Sequence, residues 1–133
     1  MNMSLARRIV VGGPILAAAL MLCGCATICE NTHAYLGVPQ LAPSNPASVQ
    51  IYASEPKQPK LRLGEIILSV EGNPSRQAVE QKLKAGAARL GADGVFIAAD
   101  STHIYPVTYW DWWGPESSEY WHRVIVGVAF KNQ

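Results

Sequence analysis

Cysteine is scarce in this chain, and none follows Cys29. The other two are Cys23 and Cys25, so a domain built from the later residues has no cysteine pair to close a disulfide. An excess of charge of one sign is also lacking, because 11 basic and 10 acidic residues give a formal net charge of +1. These shortages exclude a disulfide-stapled scaffold and remove any electrostatic basis for binding nucleic acid or an anionic lipid surface.

Sequence patterns that are typical of catalysis are missing as well. The chain has no G-x-S-x-G motif and no glycine-rich phosphate loop. His103, His122 and Asp100 are the best candidates for a metal site, but they lack the close spacing of a ligand motif. An enzyme would need a cleft that joins these three residues with Asp93. We therefore predict a non-catalytic protein without a metal or another cofactor.

The N-terminal segment has the layout of a secretory leader. Arg7 and Arg8 are followed by an apolar run from Ile9 to Leu22, which is the order of regions in a signal peptide. The run is shorter than the about 20 residues that a membrane-spanning helix needs, and Gly12-Gly13-Pro14 interrupts it. An uncleaved membrane anchor and a plain secretory signal stay open as alternatives.

The four residues Leu22-Cys23-Gly24-Cys25 resemble a bacterial lipobox, and the small Gly24 stands directly before Cys25. The resemblance implies that residues 1–24 are a lipoprotein signal peptide and that Cys25 becomes the lipidated N-terminus, which anchors the protein to a membrane. Ala26 is not the aspartate that retains enteric lipoproteins in the inner membrane. By the same resemblance, the outer membrane is favoured, with the protein facing the periplasm of the cell envelope.

Residues 25–48 are predicted to be the lipidated cysteine followed by a flexible tether. This stretch contains several prolines and small polar residues, and it has no run of apolar periodicity. Cys29 lies within it, either as an inert thiol or as half of an intermolecular bridge. Tyr35, Leu36 and Val38 could dock onto the domain that follows, so the tether need not be wholly free.

The remaining residues, 49–133, predict one small α+β domain. Apolar residues at helical spacing predict a helix over residues 76–90, with Ser75 as its N-cap and Gly91 just past its end. The strand before the helix and the strand after it form a β-α-β unit, which predicts parallel pairing. We expect a mainly antiparallel sheet with one main helix on one face, and about four strands, at residues 49–52, 63–71, 94–99 and 120–130.

Two segments resemble a group of small bacterial outer-membrane lipoproteins. Leu63-Gly64-Glu65-Ile66 is similar to the strand that precedes the helix in that group, and Leu90-Gly91-Ala92-Asp93-Gly94-Val95 is similar to the end of the helix and the strand after it. The group includes the lipoprotein that senses envelope stress for the Rcs phosphorelay. The resemblance implies an Rcs-sensor-like α+β domain and a role in surveillance or assembly of the envelope.

Aromatic residues are concentrated between Tyr105 and Trp121, and this segment contains all 4 tryptophans. Asp111-Trp112-Trp113-Gly114 has the residue preferences of a type I turn, which predicts a hairpin in which Tyr105 faces Tyr120 and His103 faces His122. One interpretation is that the rings cover the open face of a small sheet. The other is an exposed binding patch, whose candidate residues are Tyr109, Trp110, Trp112, Trp113 and Trp121.

Together these features predict a membrane-anchored envelope lipoprotein that binds another envelope component, most readily a protein. The alternatives are a module that binds a glycan or another small ligand through the aromatic cluster, and, less readily, a small enzyme.

Overall fold

The computed structural model describes residues 27–133. Five strands form one sheet, and a single α-helix packs on one face of it. The strand order is β1-β3-β5-β4-β2. The α+β class and the single helix agree with the sequence analysis, whereas the sheet has five strands rather than four. The predicted signal peptide and Cys25, the predicted lipidation site, lie outside the described residues. The elements are β1 (Thr27–Ala34), a short 3-10 helix (Pro46–Ser48), β2 (Gln50–Tyr52), β3 (Lys60–Glu71), α1 (Arg76–Arg89), β4 (Gly94–Asp111) and β5 (Gly114–Asn132).

The additional strand is β1, and it corrects the prediction of a flexible tether. All eight residues of β1 pair with β3 in antiparallel register, from Thr27 opposite Glu71 to Ala34 opposite Gly64. The sequence of β1 lacks the alternation that predicts a strand, because this edge strand has polar side chains on both faces. Ile28 is the one residue of β1 that packs against the core. Part of the remaining predicted tether is also packed, since Val38 and Leu41 contact the core, whereas Leu36 is fully exposed.

Helix α1 begins at the predicted residue and ends at Arg89, one residue before the predicted end. Ser75 is the N-cap and its hydroxyl accepts a hydrogen bond of 3.2 Å from the Ala78 amide. Gly91, just past the end, adopts a φ of 76°, which a residue with a side chain rarely adopts. A Cβ at Gly86 would lie 2.9 Å from the Ile66 side chain, so the absence of a side chain there brings the helix close to the sheet.

The predicted parallel pairing across the helix is wrong, because another strand lies between β3 and β4. β5 pairs antiparallel with both of them, so β3 and β4 run in the same direction without touching. The one parallel pair among the described strands is β2 with β4. Three of the four strand pairings are antiparallel, in agreement with the predicted sheet.

The core lies between α1 and the sheet, and aliphatic side chains fill it. Ile66 and Leu68 of β3 are fully buried against Leu83 and Ala87 of the helix. A second, smaller cluster packs on the opposite face near one end of the sheet, where Phe130 contacts its neighbours Phe96, Val128, Tyr35 and Tyr52. The rest of that face has no layer over it in the described residues, which leaves one side of the sheet open.

Strands β4 and β5 continue far past the other strands as a long hairpin. The predicted register is confirmed, because Tyr105 pairs with Tyr120, His103 pairs with His122, and Asp111 pairs with Gly114 at the turn. The pairing of β3 with β5 ends at Glu71 opposite His122. We call residues 104–121 the arm, since within the described chain only the two strands of this hairpin support one another there.

Candidate functional site

The arm is exposed to solvent along its whole length. Every residue between 104 and 121 is exposed except Gly114, which is partly so. Trp110, Trp112 and Trp113 expose 81%, 90% and 91% of their surface. Tyr109 and Trp121 expose 45% and 49%. The rings therefore do not cover the open face of the sheet, and that interpretation of the aromatic cluster is wrong.

The alternation of side chains along the hairpin divides the arm into two faces. Trp121 is four residues before Ile125, which is buried beneath α1, so the two side chains share the face that carries the helix. Trp110 belongs to this face as well, by the register of the strands. Tyr105 and Tyr120 are a cross-strand pair on the opposite face, and the register places Tyr109 on that face too. The predicted binding residues thus occupy both faces and the tip and do not form one continuous patch.

The tip of the arm is a two-residue turn that presents two indole rings. Gly114 has a φ of 124°, a conformation that side chains disfavour, and a Cβ there would meet nothing within 4 Å. The carboxylate of Asp111 accepts a hydrogen bond of 2.6 Å from the Trp112 amide. Local backbone chemistry therefore shapes the turn, and Trp112 and Trp113 are free to contact another molecule.

A hydrogen bond on the open face connects the base of the arm to β3, and a neighbouring carboxylate affects the ionisation of Tyr120. The Ser69 hydroxyl lies 2.8 Å from Nε2 of His122. Hydrogen bonding to the Glu71 carboxylate, together with desolvation, raises the pKa of Tyr120 above its ordinary value of 10. Neither Ser69 nor Glu71 is among the site residues predicted from the sequence, although the alternation of β3 places both on the face that is open to water.

The candidates for a metal site or for catalysis do not come together. His103 and His122 are opposite each other on the open face, whereas Asp100 lies on the helix face by the register of the strands. Its carboxylate accepts a hydrogen bond of 2.7 Å from Nε of Arg123, and this bond holds the pKa of Asp100 below its usual range. Asp93, at the start of β4, pairs with Lys131 instead. No group of three potential metal ligands occurs within residues 27–133.

Two clefts on the helix side of the sheet border Arg123. The smaller, of about 590 Å³, is at the base of the arm, where Trp121 and Arg123 face the Asn73-Pro74 turn. The larger, of about 1110 Å³, is an open groove between α1 and β2, and the Asp100–Arg123 ion pair forms part of its floor. The smaller cleft is the one that an aromatic ring from the arm helps to line.

Comparison with protein-family models, with curated proteins and with solved structures found no match to this chain. Within the described residues, no helix is long and apolar enough to cross a membrane. The function is therefore inferred from the lipobox-like motif and from the geometry of the arm.

Proposed function

We propose that this protein is a non-catalytic envelope lipoprotein, lipidated at Cys25 and held in the outer membrane facing the periplasm. Its domain binds another component of the envelope through the arm, in a surveillance or assembly role. The resemblance to the Rcs stress sensor belongs to the same proposal. The observation that carries it is the exposure of Trp110, Trp112 and Trp113 on a projecting hairpin.

Large rings that stay in water are costly unless another molecule covers them. Fully burying a large apolar side chain contributes about 1.5–3 kcal/mol, and tryptophan is among the residues most enriched at binding hot spots. An isolated two-stranded hairpin is marginally stable in water, so the arm depends on the sheet that carries it. These properties support a binding element that the domain holds out from its body.

The arm is tested by photo-crosslinking in living cells. A photoreactive residue at Trp112 or Trp113 should give adducts with an envelope component, because these side chains contact whatever the arm binds. The same residue at Gln81, which is exposed on α1, is the matched control and should give none. Adducts from Gln81 alone would contradict the proposal, and so would no adducts from either site in correctly folded protein.

The anchor is tested separately by metabolic labelling with a fatty acid. Cys25→Ala should abolish incorporation of the label and release the protein from membranes, whereas Cys23→Ala should leave both unchanged. Retention of the label in Cys25→Ala would overturn the lipobox assignment without bearing on the arm.

A second candidate function has its own supporting observation. The 590 Å³ cleft beside Trp121 combines an aromatic ring with polar groups from Glu119, Thr102 and Arg123, a mixture that is typical of sites for small ligands. Envelope glycan fragments should then change the tryptophan fluorescence, and Trp121→Ala should remove the change while Trp113→Ala keeps it. A response that survives Trp121→Ala would exclude this cleft.

A further inference from the structure

The start of β1 and the base of the arm lie in one row across the sheet. Thr27 is opposite Glu71, Glu71 is opposite His122, and His122 is opposite His103. Three strand spacings of about 4.8 Å separate the two ends of this row, which is about 14 Å. Because β1 runs from this row toward the far end of the sheet, the N-terminal chain joins the sheet at the end from which the arm projects.

The link between this row and the lipid is short. Cys25 precedes Thr27 by two residues, and two residues span at most about 7 Å. The arm extends eight residues beyond the row, from Ile104 to Asp111, which is about 27 Å of strand. With Cys25 acylated, the start of β1 stays within about 7 Å of the lipid, and the base of the arm lies about 10–14 Å farther along the row. The arm itself is several times longer than the link.

The arm could point away from the membrane, point straight into it, or lie along its surface. The short link between Thr27 and the lipid and the polar groups of the arm conflict with the first two orientations. If the arm pointed away from the membrane, the body of the sheet would lie between the row and the lipid, and β1 alone has eight residues, about 27 Å. If it pointed straight in, the polar side chains of Ser117 and Ser118 and the free hairpin edges would enter hydrocarbon, where unpaired backbone groups are not tolerated. The remaining orientation has the arm lying along the membrane surface.

We propose that the arm docks in the headgroup region of the same membrane that holds Cys25, with its tryptophan and tyrosine rings at the boundary with the acyl chains. The inference depends on the proposed acylation of Cys25 and names the envelope component that the arm binds. Tryptophan and tyrosine favour this boundary because each has an apolar ring and a polar group. The arm carries Asp111, Glu116 and Glu119 but no lysine or arginine, so the rings, and not charge, provide the attraction.

The positions of the tryptophans allow a direct test, because all 4 lie in the arm. Tryptophan fluorescence therefore reports on the arm alone. The full acylated protein is reconstituted into phosphatidylcholine vesicles whose lipids carry bromine, a quencher, either near the headgroup end or near the terminus of the acyl chains. We expect a shift of the emission to shorter wavelength and a loss of intensity that is larger with bromine near the headgroup end.

The possible outcomes separate this inference from the proposed function. Protein that floats with the vesicles but shows unquenched, water-like emission would overturn membrane docking and leave the anchor intact. An adduct between position 112 and a protein, together with unquenched emission, would make a protein the occupant of the arm. Failure to float would overturn the acylation and the inference with it.

Matched variants show which rings contribute. Replacing Trp112 and Trp113 by serine should remove most of the quenchable signal, provided that circular dichroism shows the same sheet content. Replacing Trp121 should remove less, because this ring lies at the base of the arm. Quenching that persists unchanged without Trp112 and Trp113 would contradict docking through the tip.

Discussion

Glu30 on β1 and Arg89 in the last turn of α1 form an ion pair that joins the edge of the sheet to the helix. The Glu30 side chain exposes only 10% of its surface, and Thr32 donates a hydrogen bond of 2.8 Å to the same carboxylate. This contact crosses between two segments that are 59 residues apart in the chain. It holds the strand that follows the proposed anchor against the rest of the domain.

Loss of this ion pair should destabilise the domain measurably. In Arg89→Ala, the mostly buried Glu30 carboxylate loses its ion-pair partner and retains only the hydrogen bond from Thr32. We expect the free energy of unfolding to fall by about 1–2 kcal/mol. Arg76→Ala is the control, since Arg76 is 92% exposed in its pair with Glu80 and surface pairs contribute about 0–1 kcal/mol. Urea denaturation measures both, and equal losses would show that burial of Glu30 does not matter.

A side chain at Gly64 should disrupt the pairing of β1 with β3. A Cβ there would lie 2.9 Å from the Cα of Ala34 and closer still to the His33 carbonyl oxygen, and backbone atoms cannot rotate away. We expect Gly64→Ala to cost at least about 1–3 kcal/mol in urea denaturation and to raise hydrogen exchange along β1.

The control for this change is Gly37→Ala. Gly37 has a φ of 79° but nothing within 4 Å of an added Cβ, so the cost should be only about 1–2 kcal/mol, from the backbone conformation alone, and exchange along β1 should stay unchanged. Intact protection of β1 in Gly64→Ala would contradict the close approach of Gly64 to the backbone of β1.

The arm should open far more often than the body of the sheet. Its eight cross-strand pairs have no third strand beside them, and each pair contributes only about 0.2–1 kcal/mol. Hydrogen exchange of amides in residues 104–121 should therefore be about tenfold faster or more than that of residues 125–130 in β5, whose side chains are mostly buried. Comparable protection of both parts would indicate that the arm is packed against something in solution.

Acid should weaken the contact between Asp100 and Arg123. The hydrogen bond to Arg123 places the folded-state pKa of Asp100 below 3.8, its ordinary value. A carboxyl with a lowered pKa stabilises the folded state above its unfolded pKa, and this contribution is lost as the pH falls through the folded value. We therefore expect stability to decline below about pH 4, and Asp100→Asn should make the decline shallower while lowering stability at neutral pH.

Both groups are partly exposed, with 38% of the Asp100 side chain and 44% of the Arg123 side chain open to solvent. The effect should therefore be small and should shrink in high salt. Urea denaturation at several pH values and two salt concentrations measures it. An identical pH profile for Asp100→Asn would show that this pair does not contribute.

Local sequence chemistry determined the helix and the hairpin. Ser75 and Gly91 bound α1 because a capping hydroxyl and a left-handed glycine act within one turn of chain. Asp111 and Gly114 bound the hairpin turn, and once the turn is placed, the alternation of the strands fixes which residues face each other, down to Tyr105 opposite Tyr120. These features depend on neighbours in sequence, so one sequence was enough to predict them.

The tertiary structure decided what depends on distant partners. β1 is a strand because it pairs with the edge of β3, and no pattern within Thr27–Ala34 predicts that pairing. β5 lies between β3 and β4, although the β-α-β order predicts that β3 and β4 are neighbours. The exposure of Trp112 and the row that joins Thr27 to His103 are likewise invisible in the sequence, because both depend on where the sheet ends. Burial and adjacency come from contacts between residues far apart in the chain, which local patterns do not specify.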